Sequence, residues 1–442
     1  LVSRERSSQI FQIALPIIGG MMSQNIMNLV DSAMVGQLGS TQLAAVGLAS
    51  FVNFVAAAIF MGMASGVQAM VARRIGEGRQ HEAANPLNGA LITILVFAVP
   101  LTLILTYFSH PVLSLLNSDP EVVKHGVTYL DARLLGIMAV GMNFSFRGYL
   151  SAIKMTQFYF KTLIIMHSVN ILLNYLLIFG HWGFPELGTQ GAGLGTTISM
   201  FGGTLMYLFL TVKYTAHYGF GLHLPHKKTL IQVIKISIPS SMQQLFFAMG
   251  FTTLFWIVGS IGTAELAAAN VLTTLTLVAI LPSIAFGMSS ATLVGQAIGR
   301  KAFEDAYQWA WDTSKIALVA ISIISIPMFL IPELLLGVFL HEEHVIEIAK
   351  IPLQLVGIAI MIDAVNLVLM SSLQGAGATK ITMIVGVICQ WFVFLPLAWF
   401  VGPYMGYGLT AIWLIQGIYR LFQTFWFAQL WRKRDWMHIK LH

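Results

Sequence analysis

The stretch Val35-Gly36-Gln37-Leu38-Gly39-Ser40-Thr41-Gln42-Leu43-Ala44-Ala45 returns as Val258-Gly259-Ser260-Ile261-Gly262-Thr263-Ala264-Glu265-Leu266-Ala267-Ala268, at a constant offset of 223 residues. Pro16 pairs with Pro239 at the same offset, Ile75-Gly76 with Ile298-Gly299, and Glu82-Ala83 with Asp305-Ala306. Gly62-Met63 matches Gly287-Met288 with a two-residue shift, and Gly191-Ala192-Gly193-Leu194 recurs as Gly406-Tyr407-Gly408-Leu409. Matches that keep their order along both halves mark an internal repeat, so the fold is two copies of one unit.

Composition says what solvent that unit lives in. Of 442 residues, 57% are hydrophobic, and 24 Lys+Arg with 18 Asp+Glu make only 10% charged. Soluble domains carry about 25%, and a water-soluble chain of this size needs that polar surface because it cannot hide every apolar side chain. The chain is therefore read as embedded in a lipid bilayer. A span takes about 20 apolar residues, and runs of that length between charged or Gly/Pro punctuation fall at 10–36, 43–72, 87–108, 127–152, 158–180, 189–213, 229–258, 266–296, 308–331, 346–374, 380–401 and 407–431. With a cytoplasmic N-terminus, 18 of the 24 basic residues face the cytoplasm, and the connections 37–42, 181–188, 259–265 and 402–406 hold none. That asymmetry places both termini in the cytoplasm. Nothing after Leu1 reads as a cleaved signal, for no small-residue cleavage site follows a short apolar run.

Twelve spans in two copies give six per half, and an even number makes both halves enter the membrane from the same side. The expected fold is an all-α integral membrane protein of twelve transmembrane helices, in two parallel six-helix lobes related by a pseudo-twofold axis along the membrane normal. The N-lobe is read as 1–212, a cytoplasmic linker as 213–228 and the C-lobe as 229–442. Parallel repeats of this kind form transporters that open a central cavity alternately to either side, although duplication also serves packing in channels and scaffolds.

Polar groups inside spans are costly and so become functional candidates. Gln24, Asn28 and Asp31 sit at i, i+4 and i+7 of the first span, one helical stripe that must face protein or water, with Asn25 beside it. In the fifth span Asn170 and Asn174 repeat the i, i+4 spacing, and the sixth opens on Thr196 and Thr197 in a Gly-rich stretch. Together they predict a polar network around Asp31. Low dielectric disfavours a carboxylate there and amide donors favour it, so solvent access can switch its protonation and let a proton compete with a cation. The structural alternative is an acid permanently bonded to its amides. Pro16, about four turns before Asp31 on the same helix, removes a backbone hydrogen bond and makes a hinge there, or else a static kink. In the second half Asp363 lies mid-span with Asn366 at i+3, and its counterpart is near Gly141, so duplication did not require that charge. Arg147 and Arg420 are expected to snorkel or pair near the cytoplasmic face.

Other chemistry is excluded or weak. Cys389 is the single cysteine, so no internal disulfide or cysteine-based metal site is possible. His341-Glu342-Glu343-His344 and His223 with His226 lie in loops and read as solvated charge, and no metal is expected. No nucleotide-binding loop occurs, so no cofactor or nucleotide powers the protein directly. The net charge of +6 belongs to loop residues facing an anionic leaflet, and no nucleic acid is called for. An intramembrane enzyme would need a converging nucleophile and base or metal set, and His167 is the lone mid-span histidine.

The stretch Leu15-Pro16 through Gln24-Asn25, leading to Asp31-Ser32-Ala33-Met34-Val35-Gly36, and Gly375-Ala376-Gly377-Ala378-Thr379-Lys380 after the tenth span resemble the multidrug and toxic compound extrusion (MATE) transporters. The resemblance covers essentially the whole chain and is nearest the bacterial and archaeal DinF-like branch. It implies export of small-molecule drugs, cationic and amphipathic, in exchange for H+ or Na+. The family's N-lobe acid falls on Asp31, its fifth-span Asn on Asn170, its sixth-span Thr on Thr196, and its C-lobe cation-binding acid on Asp363. A second N-lobe carboxylate of some relatives falls at Asn174, and the glutamate partnering the C-lobe acid falls at Phe247.

The reading is thus a multidrug efflux antiporter of a bacterial inner membrane, coupled to H+ through Asp31, working as a monomer by alternating access with bending at Pro16. The alternatives are a Na+-coupled antiporter using Asp363 and a lipid-intermediate flippase, which would show a basic cavity for pyrophosphate.

Overall fold

The computed structural model describes residues 1–442 as helices joined by short turns. In chain order they are α1 (Arg4–Gly36), α2 (Ser40–Met61), α3 (Met63–Gly76), α4 (Asn85–Leu116), α5 (Pro120–Leu134), α6 (Ile137–Ala152), α7 (Thr156–Phe179), α8 (Thr189–Tyr214), α9 (Lys227–Gly259), α10 (Thr263–Ala279), α11 (Leu281–Gly299), α12 (Phe303–Leu330), α13 (Pro332–Phe339), α14 (Glu343–Gly375), α15 (Thr379–Val387), α16 (Leu395–Trp399) and α17 (Gly408–Lys433). Ten helical runs are long and apolar enough to cross a membrane. The other two expected spans differ for identifiable reasons. The fourth is broken between α5 and α6 at Leu135–Gly136, and the twelfth, α17, is diluted by Gln416, Arg420 and Gln423.

The repeat is carried in the backbone more exactly than in the side chains. Boundaries related by 223 residues include both ends of α1 and α9, the starts of α2 and α10, the ends of α3 and α11, and the starts of α7 and α15. Left-handed residues obey the same offset: Gly78 (φ 80°) pairs with Lys301 (φ 61°), and Lys154 (φ 61°) with Gly377 (φ 94°). Each closes a helix with a six-to-one bond, Arg79 N to Arg74 O at 3.0 Å and Ala302 N to Ala297 O at 2.9 Å in one pair. The other pair has Met155 N to Leu150 O and Ala378 N to Leu373 O, both 2.9 Å. Such a cap favours glycine, since a left-handed L-residue costs about 1–2 kcal/mol. Lys301→Gly should therefore raise stability by about 0.5–1 kcal/mol, the glycine's extra unfolded-state freedom taking back part of the gain. Thermal unfolding in detergent measures this, and a lower midpoint would mean that the lysine side chain contributes more than its backbone costs.

The chain divides into two compact units. One comprises Leu1–Ile18, Ile75–Gly78 and Met242–Leu441; the other comprises Gly19–Arg74, Arg79–Ser241 and His442. The divisions within α1 and α9, Ile18/Gly19 and Ser241/Met242, are again 223 apart, two residues past Pro16 and Pro239 respectively. In the first unit α14 is the hub, packed on α10, α11, α12 and α17, and the N-terminal part of α1 joins it through Ser289 Oγ, which donates to Ile10 O (3.1 Å). In the second unit α7 packs on α8, α8 on α5, and α5 on α2. The N-terminal part of α9 joins that unit where Gly62 N donates to Ser241 Oγ at 2.9 Å.

Large apolar side chains lie bare on the helices' outer faces, Leu115 at 88%, Phe392 at 74% and Val319 at 64% exposure, as a lipid solvent demands. The run from α15 to Tyr404 holds two π-helical turns, Ile388–Phe394 and Phe400–Tyr404. Pro396 and Pro403 remove backbone donors there, and the wider turn accommodates the break.

Candidate functional site

The second unit holds the predicted polar stripe. α7 approaches α1 closely because Gly19 and Gly20 carry no side chains; a Cβ on Gly19 would strike Phe160, and one on Gly20 would strike Tyr159 and Leu163. Beyond these glycines the two helices face each other with polar groups. Gln24 Nε2 donates to Asn28 Oδ1 at 3.1 Å, and at the far end of the stripe Asn174 Nδ2 donates to Asp31 Oδ1. Asp31 is partly buried, while Asn174 is fully buried and Asn170, one turn earlier, nearly so. The amide oxygens of Asn170 and Asn174 are buried without a donor. Gly195 of α8 shuts the far side, for a Cβ there would meet Asn174 Oδ1. The result is an acceptor-rich site, one carboxylate and two unsatisfied amide oxygens, where water, a proton or a cation can be held.

Thr196 is buried and its Oγ1 donates to Ala192 O (3.0 Å) of its own helix, while Thr197 Oγ1 donates to Ala132 O at 2.8 Å. Two groups beyond the predicted set do belong. Arg133 of α5, whose Nη1 donates to the Tyr129 hydroxyl at 2.8 Å, acts electrostatically on Asp31. His167 Nε2 lies 3.1 Å from Gln24 Oε1 and its Nδ1 2.6 Å from Ser23 Oγ. The sequence signal for the histidine was present: His167, Asn170 and Asn174 fall at i, i+3 and i+7, one stripe of α7. Pro16 stands inside α1, which runs on through it as one helix.

The first unit holds Asp363, and its surroundings are different. Arg420 Nε of α17 lies 2.6 Å from Asp363 Oδ1, an ion pair in which both side chains are almost fully buried. Arg420 Nη1 donates to Gln423 Oε1 (3.3 Å), which also accepts from Asn366 Nδ2 at 3.4 Å. Of the two expectations for Arg420, to snorkel or to pair, it pairs, and its charge is neutralised inside the helix bundle. Gln374 Nε2 reaches Gln243 Oε1 at 3.2 Å, Gln390 Nε2 reaches Phe247 O at 3.5 Å, and Trp391 Nε1 donates to Phe246 O at 3.1 Å. Arg147, in the second unit, rests 4.5 Å over the Phe144 ring.

Duplicated apolar helices, a polar stripe on α1 that meets buried amides of α7, and the buried Asp363–Arg420 pair are the features of a membrane transporter. Residues 16–176 and 239–400 each match the MatE family, the two matches beginning at the repeat-related prolines, and the chain belongs to that family. It is similar to the probable multidrug resistance protein NorM of Thermotoga maritima, 25% identical over 93% of this chain and 89% of that protein. A MOP superfamily transporter from Pyrococcus furiosus has the same fold, with a TM-score of 0.90 at 21% identity over 97% of this chain and 96% of that one. So does the Vibrio cholerae MATE transporter VcmN in a bent form, with a TM-score of 0.88 at 20% identity over 97% of each chain. The family match and these likenesses establish the family and its two-lobe fold; they do not single out the DinF-like branch.

Proposed function

We propose that the chain is a multidrug efflux antiporter that exports cationic and amphipathic compounds in exchange for H+. The name of the Thermotoga maritima relative supports the cargo class, and the Asp31–Asn174 contact at the end of the α1–α7 polar stripe carries the coupling. Ionised, Asp31 attracts a cationic drug. Protonated, it no longer does, so binding of one expels the other, and alternating access by the lobes 1–212 and 229–442 converts that competition into exchange. Pro16 lies on the same helix as Asp31, so a bend there transmits protonation into the N-lobe. The protein works as a monomer in a bacterial inner membrane with both termini in the cytoplasm.

Na+ coupling through Asp363 is weaker on physical grounds. Arg420 already supplies the positive charge a sodium ion would bring, and displacing it would leave a buried guanidinium unpaired. Proteoliposomes decide the matter. With an inward-directed pH gradient and no Na+, a cationic dye should be exported; with a Na+ gradient at equal pH on both sides, it should not. Movement driven by Na+ alone overturns the proton assignment.

A further inference from the structure

His167 lies about 11 Å along α1 from Asp31, given a rise of about 1.5 Å per residue from Ser23 and Gln24, and both its ring nitrogens have partners. Gln24 spends its Nε2 on Asn28 and turns Oε1 to His167 Nε2. An amide oxygen only accepts, so that ring nitrogen carries hydrogen. Ser23 faces Nδ1, and a hydroxyl can donate to a neutral imidazole or accept from an imidazolium by turning its hydrogen. His167 can therefore gain or lose a proton with no heavy atom moving.

No charge pins it in either state. On α1 it meets the neutral Ser23 and Gln24; on α6, Arg147 lies over Phe144; on α8, Tyr207 is stacked on Phe146; on its own helix stand Tyr159 and Lys161; and Arg133 of α5 acts on Asp31.

We propose that His167 is a second protonation site of the drug-binding lobe, whose imidazolium repels cationic cargo while protonation of Asp31 withdraws the attraction. The inference rests on the reading of Asp31 as the exchange site. Both protons act in the same direction, raising the charge of the face formed by α1 and α7 by two units. A unit charge at roughly 10 Å in a medium of effective permittivity near 20 changes cation affinity by roughly tenfold or more.

The probe is tetraphenylphosphonium, a cation that does not titrate, with its Kd measured in nanodiscs from pH 8 to pH 5. His167→Gln keeps partners for Ser23 and Gln24 and should bind the probe tighter than wild type as the pH falls, by up to roughly tenfold once the imidazole is protonated. Asp31→Asn should keep a residual loss of affinity on acidification, and adding His167→Gln should remove it. A His167→Gln variant with the wild-type pH dependence, or a double variant that retains the residual loss, overturns the proposal. His167→Asn, checked for monodispersity, replaces the first variant if that one misfolds. If a pH gradient fails to move the probe in wild-type vesicles, the Asp31 reading itself fails; if the gradient moves it and the His167 variants titrate as wild type, this inference alone fails.

Discussion

Asp31→Asn is expected to abolish drug efflux while the protein still reaches the membrane in normal amounts. The asparagine keeps the size of the side chain and an oxygen to accept from Asn174, so the α1–α7 contact survives. What disappears is a charge that can be switched. Two unit charges about 4 Å apart interact by about 1 kcal/mol in bulk water and about 4 kcal/mol at an effective permittivity near 20. At a partly buried carboxylate the loss of cation affinity falls between those limits, roughly five- to a thousandfold. Transport loses more than affinity, because a neutral amide cannot release a proton on one side and take it up on the other. Asp31→Glu, which restores the charge on a longer arm, should recover part of the activity. Drug resistance in cells and probe export from proteoliposomes measure both variants, and undiminished export by the asparagine variant would place the exchange site elsewhere.

The legibility of this chain is uneven for a physical reason. Helix boundaries follow local chemistry, so a repeat at 223 residues in the sequence reappears in both ends of α1 and α9 and in four left-handed caps. The polar stripes were legible for the same reason, since 3.6-residue periodicity alone places Gln24, Asn28 and Asp31 on one face. Partnerships across helices were not. Whether His167 meets Gln24 depends on how far α7 slides along α1, which Gly19 and Gly20 settle by letting the helices touch. Thr196 reads from spacing as a cavity residue; a threonine in a helix can also bond its own preceding turn, and this one does. The π-helical turns around Pro396 were invisible because proline announces a break without saying how the chain repairs it.

Arg420 is the clearest case, and it carries the second large effect. From sequence its charge either snorkels or pairs, with no partner named; in the fold it lies 2.6 Å from Asp363, with both groups almost fully buried. Removing one member of such a pair leaves the other charged and dry, which costs about 3–5 kcal/mol, a large part of any domain's stability. Arg420→Ala should therefore unfold at a much lower temperature and accumulate poorly, and Asp363→Asn should do nearly as badly, because its amide cannot neutralise the guanidinium. The double variant Asp363→Asn/Arg420→Gln removes both charges while leaving groups that can hydrogen-bond to each other and to Gln423, so it should recover most of the lost stability. Unfolding midpoints of the four proteins give the coupling energy directly, and two single variants each within about 1 kcal/mol of wild type would mean that the pair is solvated. The double variant also separates stability from coupling. If it folds and still exchanges drug for H+, Asp363 serves to hold α14 against α17; if it folds and is silent, the pair takes part in transport, and the C-lobe carboxylate must trade Arg420 for another partner during the cycle.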